Sequence, residues 1–441
     1  MMRRTNMKRL LLTLFAFLLF VPMAWGAATF EGTTLAGIST VINQAYGVTW
    51  DESDPSPLLT RTGTTIGEAA GSSPGNAWLP IHNLMRRCVI NDAGVVQYYL
   101  CATDSTKKED CVTASVLDGT DGQVMVEIPK FYYRYSYAGT NHSWSISTFA
   151  QVGYTAHPAF YKNGAWVEHR YIGAYEGSMY DATTGLMVPA ANIVDNMYAA
   201  GDKLCSVYAA DIFPKVNETR AEYRAMAVSR GAGWRQQDYD LMSAIQLLYA
   251  IEYASWYSQS VIGHGRTQLS GSTWVADGYI GECGKSNSDG NATANTGGDT
   301  NDAYMSYRGI ENFFGNIYKW VDGFNINNNI PYVSNTDTQF ADDTTTNYTR
   351  LEDTGGAGIT LVAVTGYQTT LEQIDRGFLP SAVGGSDATY ITDYYYQNDD
   401  GWRVAGLGGG ANNGGGAGFF YWYVYYSSSS DYTHVGGRIT F

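Results

Sequence analysis

Residues 401–441 read GWRVAGLGGGANNGGGAGFFYWYVYYSSSSDYTHVGGRITF and constrain the fold more than any other part of the chain. Glycines fill six of the nine positions 408–416, which neither a helix nor a continuous strand favours. An aromatic run, residues 419–426, follows and gives way to four serines. On strand alternation Phe420, Trp422 and Val424 share one face, and Phe419, Tyr421, Tyr423 and Tyr425 share the other. One face can enter a core. The other is a row of tyrosines that a protein in water rarely exposes without using it. Tyr, Ser and Gly are also the palette of antibody-like contact surfaces, because tyrosine supplies contact area at low entropic cost. An aromatic core strand beside a flexible linker is the alternative at this point.

The whole chain carries 50 Gly and 35 Tyr with only 16% charged residues, which excludes a disordered tail and disfavours a helical bundle. Its 441 residues allow a large core and more than one domain. Net charge is −15. Arg3, Arg4, Lys8 and Arg9 precede an apolar run, residues 10–21, and the small residues around Gly26 and Ala28. That order is a secretory signal, so residues 1–26 are expected to be removed near Gly26 or Ala28 and the protein to be secreted or displayed at the cell surface. Without those four cations the balance is 23 basic against 42 acidic residues, a net of −19. Such a surface disfavours nucleic acid as a partner. No second apolar run has spanning length, so no integral membrane protein is expected after processing. Export would permit a disulfide between Cys101 and Cys111, which flank the polar turn ATDSTKKED. Cys88, Cys205 and Cys283 complete the five cysteines, and the odd count leaves at least one thiol free.

Between the termini the pattern is α+β. Residues 125–137, MVEIPKFYYRYSY, read as a strand, and so do residues 167–181. Thr219 and Glu222 form a capping box that opens a helix running to Gly231 or Gly233. A second helix is expected from Tyr239 to Trp256; Leu241, Ile245, Leu248 and Glu252 line one face, and Ala244, Leu247 and Ile251 lie beside it. Residues 284–302 and a stretch from Ser334 onward read as long polar loops. The expected division is a smaller β-rich region at 27–120 followed by a domain at 121–441 with two helices, many short strands and long loops.

Two segments carry a resemblance. GIENFFGNIYKWVDG (residues 309–323) resembles the glycine–asparagine–aromatic–tryptophan motif of the formylglycine-generating-enzyme type of C-type lectin fold. The ending GWRVAGLGGG…AGFFYWYV…VGGRITF resembles the terminal segment of that fold in the variable proteins of diversity-generating retroelements. MVEIPKFYYRY, HPAFYKNG and YIGAYEGSMYD are similar to phage-tail proteins of the same group. The resemblance implies a C-type-lectin-like domain with a variable region at about 408–434. In that family template adenines are copied unfaithfully, and variable codons usually begin as AAC or AAT. Changing only those adenines cannot yield Lys, Glu, Gln, Met or Trp. None of the first four occurs between Gly408 and His434, and the one Trp, Trp422, has inward parity.

By match to the pattern, the ligand-binding positions are Gly410, Asn412, Asn413 and Gly416 in the turn, and Tyr421, Tyr423, Tyr425 and Tyr426 on the strand and its exit. Ser430, Tyr432 and His434 follow before the closing VGGRITF. Gly408, Gly409, Ala417, Gly418, Phe420, Trp422, Val424, Gly436, Gly437 and Arg438 would be fixed scaffold. Ala411 departs from the tryptophan that the family often has there.

An enzyme is not expected. The formylglycine-generating chemistry needs cysteines near the C-terminal end, and none follows Cys283. Iron-dependent relatives need a histidine set, whereas His82, His142, His157, His169, His264 and His434 are scattered singly. Asp299, Asp302 and Asp322 are oxygen donors without calcium-loop spacing. Neither metal nor cofactor is expected. The expected function is therefore binding of an unidentified protein or cell-surface ligand. A phage tail or fibre receptor-binding protein is the alternative, and a carbohydrate-active enzyme with a carboxylate pair a distant one.

Overall fold

The fold is described by a computed structural model covering residues 45–269, 280–298, 300 and 302–441. The expected leader and its expected cleavage site lie outside these residues. The β-branched and aromatic content is spent on many short strands. Those that position the C-terminal segment are β1 (Tyr46–Asp51), β2 (Arg86–Ile90), β3 (Gln123–Pro129), β4 (Tyr132–Ala138), β5 (Asn141–Ser147) and β6 (His169–Gly173). They are followed by β7 (Tyr318–Asn327), β8 (Tyr394–Gln397), β9 (Trp402–Leu407), β10 (Trp422–Val424) and β11 (Ile439–Thr440). Three helices occur among the described residues: α1 (Arg220–Ser229), α2 (Tyr239–Tyr253) and the single turn α3 (Ser258–Val261). The α+β reading holds at this level. No helix among the described residues is long and apolar enough to cross a membrane.

The two long strand readings are each split. Residues 125–137 break at Lys130 and Phe131, so β3 joins one sheet and β4 another. Pro129 ends the first strand by removing a ladder donor, and Phe131 is buried against Phe160. Residues 167–181 likewise divide into β6 and Ser178–Asp181, which lie in different sheets.

α1 starts at the expected box. The Thr219 side chain accepts from the Glu222 N–H at 3.3 Å, and the Glu222 carboxylate accepts from the Thr219 N–H at 2.7 Å. Every residue of α2 is buried. This helix stops three residues before the expected Trp256 because Ala254 turns left-handed (φ 49°) and caps it through Ala250 O.

Residues 284–296 of the expected polar loop are tied down by buried hydrogen bonds and strand pairing. The buried Glu311 carboxylate accepts from the N–H of Gly284 (2.8 Å) and Ser286 (2.7 Å). Arg87 donates to Ser286 Oγ (2.6 Å), and Ala294–Thr296 pairs with Tyr304–Tyr307.

The division expected near residue 120 does not separate two bodies. β1 pairs with β5, and β2 pairs with β3. The last strand, β11, lies beside β6 in a seven-stranded sheet that also holds β3 and β2. Residues 45–441 are one unit. Strand pairing across residue 120 is the cause, since a shared sheet cannot belong to two domains. Cys101 and Cys111 are joined by a disulfide with Cα atoms 4.9 Å apart, while Cys88, Cys205 and Cys283 are buried free thiols.

Candidate ligand-binding surface

The C-terminal segment is built on the largest sheet, in which β7, β9, β10 and β8 are consecutive neighbours. β10 alternates as its sequence requires. Trp422 and Val424 face the core around α2, and the Trp422 indole N–H donates to Phe378 O at 2.8 Å. Tyr423 faces the opposite side. Parallel pairing sets Tyr396 of β8 beside Tyr423, and their rings stack at 5.0 Å. On Tyr423's other flank stands Gly406 of β9. Its missing side chain leaves the space in which the Tyr318 and Tyr423 rings meet at 5.1 Å.

The aromatic surface then continues along the chain past the end of β10. The Tyr426 ring lies 4.4 Å from that of Tyr423 and 4.5 Å from that of Tyr432. Tyr426 has the core parity, yet the strand ends at Val424 and its ring joins the tyrosine side. There its hydroxyl lies 2.6 Å from His434 Nε2. Burial pushes the His434 imidazole down to about 4, so this hydrogen bond joins two neutral groups at pH 7.

Solvent reaches only part of this assembly. Tyr425 is 41% exposed, Tyr432 44% and Tyr396 37%. Tyr423, Asn412, Asn413 and Ser430 are half-buried. Five of the expected contact positions are instead buried: Gly410, Gly416, Tyr421, Tyr426 and His434. Tyr421 is the clearest correction. Its hydroxyl lies 3.2 Å from that of Tyr318 and accepts from Asn413 Nδ2 at 3.5 Å, so the glycine-rich turn roofs it over. The row is also shorter than alternation implied, because Phe419 leaves it. β10 begins only at Trp422, and the preceding turn sends Phe419 into the core, 4.3 Å from Phe313 and 4.1 Å from Tyr249.

Asp393 holds that turn. Its carboxylate accepts from the Phe420 N–H at 2.7 Å, and a Cβ at Gly418 would stand 2.1 Å from its oxygen. Burial holds the Asp393 carboxyl well above the usual carboxylate range. Gly410 and Gly416 are buried within the turn. The Gly410 N–H donates to Asn413 Oδ1 at 2.7 Å, and a Cβ on Gly416 would press on Tyr394 at 3.2 Å. Asn413 therefore works mainly inside the turn.

Tyr396 is the surface residue that sequence reasoning missed. The alternation of Tyr394 and Tyr396 was visible, but its parallel partner lies beyond β9 and nothing local announces that pairing.

No group of three or more His, Cys, Asp and Glu is placed to hold a metal among the described residues. Asp322 is paired with Arg224 at 2.6 Å and Asp302 with Lys285 at 2.8 Å, while Asp299 lies outside the described residues. No family model matches the chain, and no curated protein matches it.

Proposed function

We propose that this chain is an exported, non-enzymatic binding protein with a C-type-lectin-like fold, whose surface at 408–434 is diversified by retroelement mutagenesis. The observation that carries the reading is the aromatic surface formed by the exposed Tyr396, Tyr425 and Tyr432 with the half-buried Tyr423, over a dense buried support. Every position assigned to the fixed scaffold is buried: Gly408, Gly409, Ala417, Gly418, Phe420, Trp422, Val424, Gly436, Gly437 and Arg438. Several are tightly packed or fully bonded. A Cβ at Gly437 would meet the Tyr223 ring at 2.7 Å, and the Arg438 guanidinium donates to Gly173 O and to Glu311 O. Exchange at Tyr425, Tyr432, Ser430 or Asn412 would leave this support intact. Rigid presentation of that kind lets side chains set specificity without refolding.

The test has a genetic and a binding arm. A near-repeat of codons 408–434, differing at adenines and lying beside a reverse-transcriptase gene, is expected in the neighbouring DNA. A genome without one overturns the diversification. Fluorescently labelled mature chain, applied to a panel of bacterial cells, should decorate at least one surface. That staining should disappear in the Tyr425→Ala/Tyr432→Ala variant. Staining that survives the double substitution overturns the assignment of the surface.

A further inference from the structure

We infer that the partner of this surface is basic: a protein segment rich in lysine and arginine. The inference rests on the binding reading above and adds the chemistry of the partner. Four exposed carboxylates fringe the tyrosines: Asp343, Asp399, Asp400 and Asp431. Two stand on the loop side. The Ser428 hydroxyl, between Tyr426 and Tyr432, donates to Asp343, and Asp431 directly precedes Tyr432 and accepts from Asn196 at 2.9 Å. The other two stand across β10. The Asn398 N–H donates to Val424 O at 3.4 Å, which brings the turn carrying Asp399 and Asp400 alongside Tyr425.

None of the four is in an ion pair among the described residues. Their neighbours contrast with them, since Asp322 and Asp342 are locked to Arg224 and Arg220. The C-terminal segment itself supplies few cations to the fringe, and Arg220 and Arg224 beside Asp343 are paired with Asp342 and Asp322. Residues 391–441 contain only Arg403 and Arg438. Arg438 is buried and spends its guanidinium on backbone carbonyls. Arg403 has the parity opposite to Val404 and Gly406, so it leaves β9 on the other face of the sheet.

What remains is a cluster of partly exposed tyrosine rings fringed by carboxylates outside any ion pair. A tyrosine face attracts a cation, and more so as the pair desolvates. Carboxylates at the rim steer a positive partner toward it and repel an acidic one. Sugars also stack on aromatic rings and can donate hydroxyls to carboxylates, but being neutral they gain nothing from the charge of the fringe. A guanidinium or ammonium uses both features at once, and arginine does so with a planar group that stacks.

The experiment pans a random dodecapeptide phage library on the immobilised mature chain at low salt. Binders are counter-screened on Tyr423→Ala/Tyr425→Ala, with Tyr425→Ala alone as the second variant because that ring is exposed. Thermal melts check that each variant is folded. The expected binders lose affinity about thirtyfold on the double tyrosine variant. They carry Lys and Arg in excess of the library, and lose about two- to fivefold on Asp399→Asn/Asp400→Asn. The same peptides should weaken as salt is raised. Tyrosine-dependent binders with no basic excess overturn this inference and leave the binding reading standing. Binders indifferent to the tyrosines, or no binders at all, overturn both.

Discussion

Residues of one type occupy different physical situations in residues 419–426, and substitution separates them. Tyr421 is 1% exposed and closes a cluster with Tyr318, whereas Tyr425 is 41% exposed. Tyr421→Ala is expected to cost about 3–5 kcal/mol, as Trp422→Ala does. Tyr425→Ala should change stability by within about 0.5 kcal/mol. Urea titrations of the three variants check this. Equal losses at 421 and 425 would place both rings in the core. Asp393 supports a second expectation. Its carboxyl is buried and its folded pKa is raised, so the folded state holds a proton that the unfolded chain releases. The stability contributed by the neutral acid is present below the unfolded value of 3.8 and declines as pH rises above it. Asp393→Asn cannot titrate. The difference in unfolding free energy between wild type and variant should therefore fall with rising pH, by about 1.4 kcal/mol per unit within the window. A pH-independent difference would mean that Asp393 is ionised in the fold.

Elements in this chain start and stop where local chemistry tells them to. The reciprocal bonds between Thr219 and Glu222 open α1, and Thr219→Ala should lower stability by about 1 kcal/mol in chemical denaturation. A change below a few tenths would show that packing alone holds the helix start. The hairpin of Val96–Cys101 and Asp104–Lys108 is stapled to the following turn by Cys101–Cys111. Replacing both cysteines by serine should cost about 2–3 kcal/mol in the same assay, the loop-closure value for a ring of this size. Sequence pattern was sufficient for these elements because their signals are local. It failed at residues 125–137 and 167–181, where alternation continues through a break in pairing. Side-chain parity says which way a residue points, but not whether the strand still has a neighbour.

At the scale of the molecule, the first and last described strands are woven into one body. β1 pairs with β5, and β11 pairs with β6 and with Arg235–Gln236. Val435–Gly436 runs beside Tyr318 and Lys319 of β7. Limited proteolysis of the native chain should therefore release no stable 121–441 fragment, and deletion of residues 435–441 should abolish the cooperative thermal transition seen by circular dichroism. A folded fragment starting near 121 would restore the two-part division that the sequence suggested.

From residues alone came the α+β character, the capped and the buried helix, and the inward parity of Trp422 and Val424. These follow from periodicity and from backbone chemistry that each residue carries with it. Which tyrosines meet solvent was decided only by tertiary structure. Tyr421 is covered by a turn folded back through Asn413, Tyr426 is drawn beside Tyr432 by the end of β10, and Tyr396 arrives from a parallel strand beyond β9. The reason is that exposure belongs to the set of elements packed around a side chain, and those elements are brought together by pairings that leave no mark in the local sequence.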